Sequence, residues 1–433
     1  MRILIFKFRV IWFYIKFQFW IKKQSRSEID AYQEREIRKH IDWVRAQSPF
    51  LSELWGNIPA DKWRELPISN KAMMMEQFTT WNTIGAPSEE LFRIAFESER
   101  SRDFSPMYKH HTVGLSSGTS GQRGLFLVTE LERARYAGMI LARALPGGLK
   151  RTHRVAFFMR ANSNLYTGSK NRKLEFQYFD IFENLDSHLE RLQALNPTLL
   201  ISPVSTLLKL REKIESGALK LSPERVFAVA EPLSKEDAQR LESTFKQPIY
   251  QFYQCTEGFI AISCEKNSLH VNEEAIHIEP QWLDETRTRF MPIVTDFSRK
   301  AQPITRFLLN DILTWSDQPC ACGKQTRVIA SIEGRIDDII TIDTRDYYPD
   351  YFRRVIAIVP TEIREYWVIQ TKLLEIKVIV SLKNQSEFES AREQILSGFS
   401  ELRNKHPKLA IEVEAGVYPN ENKKLRRVMN LSR

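Results

Sequence analysis

The sequence contains little cysteine: Cys255, Cys264, Cys320 and Cys322 are the four in a chain of 433 residues. So few thiols in so long a chain exclude a disulfide framework, and a Cys-x-Cys pair is more often a metal or redox feature. Internal repeats and low-complexity segments are missing as well. Hydrophobic residues make up 42% and charged residues 27%, which excludes disordered, collagen-like and coiled-coil classes. The length predicts two or three domains with a large core.

A long hydrophobic run is absent from segment 1–23, the part of the chain that most resembles a targeting sequence. Its longest uncharged run, 10–15, has six residues. A membrane-spanning helix needs about 20 mostly apolar residues. A signal peptide needs an apolar run of about 7–15 residues and a small-residue cleavage site. We therefore predict a cytoplasmic protein whose first segment neither spans a membrane nor directs secretion.

Acidic residues are absent from the two ends of the chain, which carry its net charge of +9. Segment 1–23 has six Lys and Arg residues, segment 422–433 has five, and the rest of the chain sums to −2. A nucleic-acid-binding protein usually spreads Lys and Arg over a whole face. We therefore predict no nucleic-acid partner.

The basic residues of segment 1–23 fall on two sides of a helical wheel, with Ile, Phe, Trp and Val between them. Arg2, Arg9, Lys16 and Lys23 share one side, and Lys7, Gln18 and Lys22 lie nearly opposite. Two interpretations are open. Long basic side chains can snorkel while aromatic rings sit at a membrane interface, which predicts peripheral contact with the inner membrane face. Alternatively, the segment packs on the body of the protein or on a partner.

Apolar stretches alternate with helical periodicity through the middle of the chain, which predicts an α/β core. The predicted strands are 112–115, 154–159, 198–201, 226–230 and 248–253, and the predicted helices are 28–55, 129–145, 186–195, 203–216 and 235–245. After about residue 338, short β-like runs and a polar helix at 386–404 predict a small α+β unit. The predicted organisation is a basic aromatic segment 1–27, a large domain 28–335 and a small domain 336–433.

A loop of small residues after the predicted strand 112–115 is the strongest local signal. It reads Ser116-Ser117-Gly118-Thr119-Ser120-Gly121-Gln122-Arg123-Gly124. Glycines let a backbone approach an anion, successive amides can cup it, and hydroxyls add donors. The loop is not a Walker motif, since the Gly-Lys-Ser/Thr ending is missing. Alone it could equally be a flexible loop without a ligand.

Further motifs follow this loop in a fixed order. They are Tyr253-Gln254-Cys255-Thr256-Glu257, then Arg306 and Asp311 in ITRFLLNDI, then Gly334-Arg335-Ile336-Asp337-Asp338, and finally Lys423-Lys424-Leu425-Arg426-Arg427-Val428. Over roughly residues 35–430 the ordered set resembles the adenylate-forming (AMP-binding) enzyme superfamily. Within that superfamily the chain is most similar to the branch of phenylacetate–CoA ligases and coenzyme F390 synthetases, which has an equivalent of Ser-Pro-Phe at 48–50.

The resemblance implies a fold with a large N-terminal domain of mixed sheets and helices and a small mobile α+β C-terminal domain. It also implies a set of nucleotide-binding roles. ATP phosphates would be held by Ser116, Ser117, Gly118, Thr119, Ser120 and Gly121, and adenine would lie beside Ala230, Glu231, Pro232 and Tyr253. Thr256 would contact phosphate, and Glu257 would hold Mg²⁺.

The remaining implied roles fall near the C-terminal domain. Asp311 and Arg335 would bind the ribose, with the phosphates as an alternative for Arg335, and Asp337 would be the hinge. Lys424 would be the catalytic lysine that bridges the substrate carboxylate and the α-phosphate. The neighbouring Lys423 is an open alternative for that role.

Three thiols and one imidazole form a candidate metal site: Cys264, His270, Cys320 and Cys322. Sulfur ligands with one nitrogen suit tetrahedral Zn²⁺. Members of the same branch at times carry a structural metal on this arrangement, so the resemblance implies zinc. The alternative is four unlinked residues with reduced, buried cysteines.

The activity implied by the resemblance is activation of a carboxylic acid as an acyl-adenylate, with release of pyrophosphate and transfer to a thiol, CoA. The acid is expected to be aromatic or otherwise apolar, with weak support from Phe157, Phe158, Tyr166, Phe176, Tyr178 and Phe252. The chain departs from the family after the hinge, where Asp343, Thr344 and Arg345 replace a glycine that lets the thiol approach. Adenylation with another acceptor and a non-catalytic nucleotide-binding role are therefore alternatives, and a homodimer is also left open.

Overall fold

The computed structural model describes residues 2–20, 24–116, 123–161, 173–418 and 426–432. By its internal contacts the chain divides into two compact units. Unit 1 consists of Met1–Leu309 and Thr314–Ala330, and unit 2 consists of Asn310–Leu313 and Ser331–Arg433. The inclusion of residues 310–313 in unit 2 could not be read from the sequence, because it depends on contacts between distant positions. The predicted hinge at Asp337 stays a prediction.

Helices make up the first hundred residues of unit 1. They are α1 (Arg2–Trp20), α2 (Arg26–Gln47), α3 (Pro49–Trp55), α4 (Lys71–Glu76), α5 (Phe78–Trp81) and α6 (Ser88–Ser101). A capping box begins α2, in which the Oγ of Ser25 accepts from the N–H of Glu28 and the Glu28 carboxylate accepts from the N–H of Ser25. The helical periodicity of 28–55 belongs to two helices, because the chain breaks at Ser48 and Pro49 begins the second one.

Strands and helices alternate in the rest of unit 1. The strands are β1 (Thr112–Leu115), β2 (Leu125–Val128), β3 (His153–Met159), β4 (Leu174–Asp180), β5 (Leu199–Pro203), β6 (Arg225–Val229), β7 (Ile249–Cys255), β8 (Gly258–Ser263), β9 (Leu269–Val271), β10 (Ile276–Trp282), β11 (Arg289–Asp296), β12 (Ile304–Leu308), β13 (Asp311–Trp315) and β14 (Val328–Arg335). The helices are α7 (Glu130–Ala144), α8 (Leu189–Leu195), α9 (Val204–Glu215) and α10 (Lys235–Phe245). Strands β13 and β14 cross the division between the units.

All of these strands except β1 and β2, which form a separate hairpin, belong to one mixed sheet of 12 strands. Its order is β10-β11-β13-β14-β9-β8-β7-β6-β5-β3-β4, with β12 also paired to β11. Strands β4, β3, β5, β6 and β7 are parallel, and α9 and α10 supply crossovers between them. Strand β5 is buried along its whole length, as expected where both sheet faces are covered. The predicted α/β class is confirmed.

Unit 2 contains a small mixed β-sheet with helices packed beside it. Its elements are β15 (Ile340–Ile342), β16 (Arg345–Tyr347), α11 (Pro349–Ala357), β17 (Ile363–Lys372), β18 (Glu375–Leu382), α12 (Phe388–Gly398), α13 (Ser400–Lys405), β19 (Ala410–Ala415) and β20 (Val428–Asn430). The sheet order is β19-β18-β17-β20. Burial alternates along β18, so one face covers the core. The helix predicted at 386–404 is two helices, which meet at the fully buried Phe399.

The first helix, α1, packs against α7. Gly138 makes this packing close, because a Cβ at that position would lie 2.5 Å from the Cβ of Phe13 and 2.8 Å from the carbonyl oxygen of Val10. Arg9 of α1 also forms an ion pair of 3.3 Å with Glu130 of α7. No helix within the described residues has the length and apolar character needed to cross a bilayer.

Candidate active site

The predicted phosphate loop joins the two strands of the β1–β2 hairpin. Its base is closed by Ser116, whose N–H donates to the carbonyl of Gly124 and whose Oγ accepts from the N–H of Gly124, each at 2.7 Å. The ammonium group of Lys71 on α4 donates to the same Oγ at 3.2 Å. The structure therefore places a lysine at the base of the loop, which the sequence did not indicate. The other predicted loop residues, Ser117, Gly118, Thr119, Ser120 and Gly121, lie outside the described residues.

Two more predicted nucleotide motifs follow neighbouring parallel strands. Ala230, Glu231 and Pro232 come directly after β6, and Thr256 and Glu257 come directly after β7. Parallel neighbours end at the same edge of a sheet, and open α/β sheets bind ligands at the carboxyl ends of their strands. The structure thus brings together two motifs that are about 25 residues apart in the sequence.

A strained turn begins the first of these motifs. Ala230 has a φ of +63°, and the N–H of Glu231 donates to the carbonyl of Val229 at 2.8 Å. The left-handed region costs a residue with a Cβ about 1–2 kcal/mol. Such strain persists where the surrounding structure enforces it, and it clusters at functional sites.

Glu231 has a positioning role in this turn. Its carboxylate accepts from the N–H of Ser205 at 2.7 Å and from the hydroxyl of Ser205 at 3.0 Å. Ser205 lies in the first turn of α9, where the N–H groups have no partner within the helix and the helix dipole favours a negative charge. Glu231 therefore holds the end of β6 against the start of α9.

Glu257 is a buried carboxylate. Within the residues that the structure describes, its oxygens make no hydrogen bond or ion pair. Mg²⁺ prefers one or two carboxylates together with substrate phosphates. The environment of Glu257 therefore fits the predicted magnesium ligand. Tyr253, the residue predicted to stack on adenine, is also buried, near the end of β7.

Arg299 links the turn after β7 to the hairpin that carries the phosphate loop. One of its terminal nitrogens donates to the carbonyl of Thr256 at 3.3 Å, and the other donates to the carbonyl of Leu127 on β2 at 3.2 Å. Both carbonyls belong to the backbone, so this contact leaves no pattern in the sequence. Arg299 is therefore a second residue beside the predicted site, after Lys71, that the sequence did not indicate.

Unit 2 brings together the other predicted nucleotide residues. The guanidinium of Arg335 lies 3.6 Å from the carboxylate of Asp311. The N–H of Ile336 donates to the carbonyl of Asn310 at 2.8 Å, and the Asn310 amide donates to the Asp337 carboxylate at 3.4 Å. The start of β13 and the end of β14 thus share a small polar cluster.

The predicted catalytic lysine, Lys424, and its alternative, Lys423, lie outside the described residues. The chain is described again from Arg426, whose Nε donates to the carboxylate of Asp338 at 3.0 Å. Burial raises the pKa of Asp338, and the charge of Arg426 opposes this increase. The residues that follow the two lysines are therefore fixed to the position next to the predicted hinge.

An apolar cavity of about 80 Å³ lies in unit 1 beside the motifs that follow β6 and β7. Its wall includes Val229, which precedes Ala230, and both neighbours of Tyr253 in the chain, Phe252 and Gln254. None of the described residues that line it carries a charge, and the polar ones among them, Tyr136 and Gln254, are hydrogen-bonded to each other. The rest of its wall comes from α7 and strands β3, β4 and β5.

Only some of the aromatic residues that were expected to favour an apolar acid line this cavity. Phe157, Phe176 and Phe252 line the cavity. Phe158 instead belongs to the core on the other face of β3, because successive residues of a strand point to opposite faces. The hydroxyl of Tyr178 donates to the carbonyl of Met159, and Tyr166 lies outside the described residues.

The candidate zinc ligands converge. One ligand atom from each of Cys264, His270, Cys320 and Cys322 lies within 4.8 Å of the other three. The sulfurs of Cys264 and Cys320 are 3.6 Å apart, and the Cys322 sulfur is 3.3 Å from the Nε2 of His270. Zn–S bonds of about 2.3 Å in a tetrahedron separate two sulfurs by about 3.8 Å, so the donors fit a zinc ion.

Surrounding groups orient these donors. The Nδ1 of His270 lies 2.7 Å from the hydroxyl of Thr326, which leaves Nε2 facing the cysteines. Burial lowers the pKa of His270 to about 4, so the imidazole is neutral at pH 7, as a metal ligand must be. Backbone N–H groups of Lys266 and Cys322 donate to the sulfurs of Cys264 and Cys320.

The chain was compared with protein families and with curated proteins. No family model matches the chain. The phenylacetate-coenzyme A ligase of Thermus thermophilus is 23% identical over 145 residues, which are 31% of this chain and 32% of that protein. The chain therefore spans about a third of the length of the curated relative that it matches.

Among solved structures, 2-hydroxyisobutyryl-CoA ligase in its postadenylation state, in complex with R3-HIB-AMP, matches with a TM-score of 0.70. The match has 16% identity and covers 95% of this chain and 91% of that one. The chain has the adenylate-forming fold. The fold expected from the resemblance to the adenylate-forming superfamily is therefore confirmed, and the similarity to a phenylacetate-coenzyme A ligase over 145 residues agrees with the predicted branch.

The adenylate-forming fold also includes neighbours with different named activities. The same ligase in complex with 2-HIB-AMP and CoA, in its thioesterification state, has a TM-score of 0.57 at 17% identity, over 95% of this chain and 91% of that one. The acyl acid amido synthetase GH3.15 has a TM-score of 0.59 at 11% identity, over 94% of this chain and 92% of that one. At these identities the likeness concerns the fold and leaves the acceptor open.

Proposed function

We propose that this protein is an ATP-dependent acid–thiol ligase that adenylates a carboxylic acid and transfers the acyl group to CoA. The observation that carries the proposal is the arrangement at the ends of β6 and β7. Ala230–Pro232 and Thr256–Glu257 directly follow these two neighbouring parallel strands, beside a cavity whose described lining is apolar and carries no charge. A nucleotide and an apolar acid could therefore lie next to each other at one sheet edge. The phenylacetate-coenzyme A ligase relative supports the same reaction class.

The proposed reaction has two displacements. A carboxylate oxygen of the acid attacks the α-phosphorus of ATP, the bond to the β-phosphate breaks, and pyrophosphate leaves. The thiol sulfur then loses its proton and attacks the acyl carbon, and AMP leaves. In the first step, negative charge accumulates around the α-phosphorus. A cation held there lowers the barrier, because fixed charges stabilise the transition state without reorganising. Lys424 is proposed for this role, with Lys423 as the alternative.

The nucleotide-binding roles that the family resemblance implies are proposed for residues of unit 1 and for residues of unit 2. We propose that Ser116–Gly121 bind the phosphates, that Tyr253 stacks on adenine and that Thr256 contacts phosphate. Asp311 and Arg335 would bind the ribose, and Asp337 would be the hinge. Glu257 would hold Mg²⁺, which screens the phosphate charges when bound. Its oxygens have no hydrogen-bond or ion-pair partner among the described residues, so they are available to a cation, which supports this assignment.

The acid is proposed to be aromatic or aliphatic, without a second charge. A charged group inside the cavity would lose its hydration and find no ion-pair partner among the described residues of the cavity wall, which costs several kcal/mol. Tyr136 and Gln254 already satisfy each other, so they add little attraction for a polar substituent. The aromatic wall of Phe157, Phe176 and Phe252 favours a flat or branched apolar body.

The proposal is tested by a pyrophosphate-release screen over carboxylic acids, with and without CoA. We expect activity with an apolar acid, a thioester product with CoA, and a loss of about 10²–10³-fold in Glu257→Ala and Lys424→Ala. Lys383→Ala, an exposed lysine in an ion pair with Glu362, is the matched control and should retain activity. An equal loss in Lys423→Ala alone would move the catalytic role to that residue. Absence of acid-dependent pyrophosphate release across the screen would exclude an adenylating enzyme.

A cavity variant tests the substrate class. Ala137→Leu places a larger apolar side chain on the α7 wall. We expect the kcat/KM for the preferred acid to fall about tenfold or more, since one methylene changes pocket binding by about 1–3 kcal/mol. The KM for ATP should stay unchanged. Equal loss for small and large acids would contradict a size-limiting role for this cavity.

A second candidate function is adenylation with an acceptor other than CoA. It is favoured by Asp343, which stands where the family resemblance expects a glycine and whose carboxylate is held by His406 at 2.6 Å. An amine, a hydroxyl or a carrier-protein thiol would then take the acyl group or, as in coenzyme F390 formation, the nucleotide. A thioester formed with CoA, together with no product from these other acceptors, would refute this candidate.

We further propose a structural Zn²⁺ on Cys264, His270, Cys320 and Cys322. The convergence of four donors at tetrahedral spacing supports it. A site closed by four protein ligands leaves no open position for substrate. The ion would therefore fasten the turn after β8 to the loop between β13 and β14, and it would take no part in the reaction.

A further inference from the structure

Helix α1 attaches to unit 1 through one apolar stripe. Its buried residues are Phe6, Val10, Phe13 and Phe17, which recur at the spacing of one helix face. Gly138 lets α1 approach the backbone of α7. The guanidinium groups of Arg133 and Arg135 on α7 lie over the rings of Phe6 and Phe17. The helix therefore packs on unit 1 in a fixed orientation, and this orientation determines which of its residues are exposed to solvent.

A second apolar stripe of α1 faces solvent. Its members are each about half exposed or more: Leu4, Phe8, Ile11, Trp12, Ile15 and Phe19. At about 100° per residue these positions fall within an arc of about 100° on the helix circumference. A single aromatic side chain presents about 150–250 Å², and a soluble monomer rarely exposes a contiguous apolar patch beyond a few hundred Å². This stripe is too large and too continuous to be incidental.

Cations border the exposed stripe on both sides, and α1 contains no acidic residue. On the helix circumference, Lys7 lies beyond one edge, and Arg9 and Lys16 lie beyond the other. Acids of neighbouring segments also face this border: Glu130 of α7 pairs with Arg9, and Glu36 and Glu274 lie near enough to Lys16 to act on its charge. The Nζ of Lys16 lies 5.2 Å from the ring centroid of Trp12, so its long stem follows the apolar surface.

We propose that α1 binds in the plane of a bilayer that contains anionic lipid. Phe8, Trp12 and Phe19 would enter the interface between headgroups and acyl chains, while Lys7 and Lys16 would reach the lipid phosphates. An interfacial helix of this kind buries its apolar face by about 5–10 Å. The body of unit 1 holds α1 from the opposite side, so the helix binds the surface without crossing it. This interaction is independent of the proposed catalytic activity.

Charge argues for a membrane over a second copy of the chain. Two α1 stripes packed together would bring cation-bordered edges towards each other with no acid on either helix, and like charges in such a contact repel. Anionic headgroups would instead complement both borders at once, with a gain of about 1 kcal/mol for each basic residue near the surface.

The test is co-sedimentation of the full chain with vesicles of phosphatidylcholine and phosphatidylserine, and with vesicles of phosphatidylcholine alone. We expect binding that is stronger with phosphatidylserine and weakened by salt. A Phe8→Ser, Trp12→Ser, Phe19→Ser triple variant should lose at least about 100-fold in partition coefficient. Lys7→Glu should lose about tenfold on the anionic vesicles. Because all four side chains are exposed, the thermal midpoint should stay unchanged.

The matched control is Ile358→Ser, Leu373→Ser, Val417→Ser, which removes three exposed apolar side chains from unit 2. It should bind vesicles as the parent chain does. The proposal is overturned if the folded parent chain fails to sediment with anionic vesicles, or if the control loses as much binding as the α1 variant. It is also overturned if the chain is a lipid-free dimer that the α1 triple variant converts to a monomer, since the stripe would then join two copies.

Discussion

The carboxylate of Asp343 accepts a hydrogen bond of 2.6 Å from the Nδ1 of His406. The Nε2 of His406 lies 2.8 Å from the hydroxyl of Tyr347, so three side chains form a chain across unit 2. Asp343 has a φ of +55° in the two-residue turn between β15 and β16. Asp tolerates this conformation better than most residues with a Cβ. At the position where the family resemblance expects a glycine, this chain therefore has a left-handed turn whose Asp343 carboxylate is held by His406.

Replacement of this carboxylate tests whether it restricts the acceptor. We expect Asp343→Gly to raise the rate of CoA thioester formation about tenfold, because glycine keeps the left-handed turn and removes the side chain. Acid-dependent pyrophosphate release should not change. Both rates are measured in single-turnover assays with the same acid. Asp346→Ala, which removes an exposed carboxylate two residues beyond the turn, is the control. A parent chain that already transfers to CoA as fast as Asp343→Gly would show that Asp343 does not limit the thiol.

Ala230 is expected to destabilise the parent protein. Ala230→Gly should raise the free energy of unfolding by up to about 1 kcal/mol, since relief of the left-handed strain exceeds the entropic cost of glycine. Urea unfolding monitored by circular dichroism measures the difference. Ala228→Gly, in the ordinary strand conformation of β6, is the matched control and should lower stability by about 1 kcal/mol. A loss of stability in both variants would argue against strain at Ala230.

Metal analysis tests the zinc site. Purified protein should contain about one zinc per chain. Cys322→Ser and His270→Ala should lower the zinc content and the thermal midpoint together, because the ion joins two distant segments. Cys255→Ser removes the remaining cysteine, which lies outside the cluster, and should keep the zinc. A parent chain with far less than one zinc would reject the site.

A buried histidine in unit 1 predicts a pH dependence of stability. Burial, with the nearby charges of Arg327 and Arg64, lowers the pKa of His277 to about 3, and its Nδ1 lies 2.8 Å from the Gln33 amide oxygen. In the unfolded chain the imidazole takes up a proton below about pH 6.5. The unfolded state therefore binds more protons than the folded state between these values. The contribution of His277 to stability, present above pH 6.5, should fall by about 1.4 kcal/mol per pH unit from pH 6 to pH 4.

The measurement for His277 is the free energy of unfolding at several pH values between 4 and 7, in the parent chain and in His277→Gln. The variant should show a slope smaller by one proton. His110→Gln, at an exposed histidine, should retain the parent slope. Identical slopes in the parent chain and His277→Gln would mean that His277 does not stay neutral in the fold.

Several elements of the fold could be predicted because short-range sequence patterns mark where they begin and end. The strand at 112–115 and the helix at 235–245 match β1 and α10 residue for residue, since apolar runs and a Ser234 cap mark them. Strands β8 to β10 escaped prediction because their segments are short and their burial depends on neighbours far along the chain. The helical periodicity of 28–55 does not show the break at Ser48, where Pro49 begins a second helix.

The candidate site was predictable only where a motif carries it. The motifs after β6 and β7 lie at one sheet edge, yet the sequence gives no sign of Lys71 or Arg299. Both act on a hydroxyl or on backbone carbonyls of distant segments, and such contacts impose no pattern on neighbouring residues. The pairing of Asp338 with Arg426 was hidden for a similar reason, since 88 residues separate them.

Helix α7 has α1 against one side and lines the apolar cavity with another, through Ala137, Ile140 and Leu141. A helix with its side chains is about 10 Å across. If α1 lies in a membrane surface, a lipophilic acid dissolved in that leaflet is stored about one helix diameter from the cavity. The rate then depends on the amount of acid per unit area of membrane. Added vesicles should therefore slow the enzyme, because they spread the same total amount of acid over more membrane.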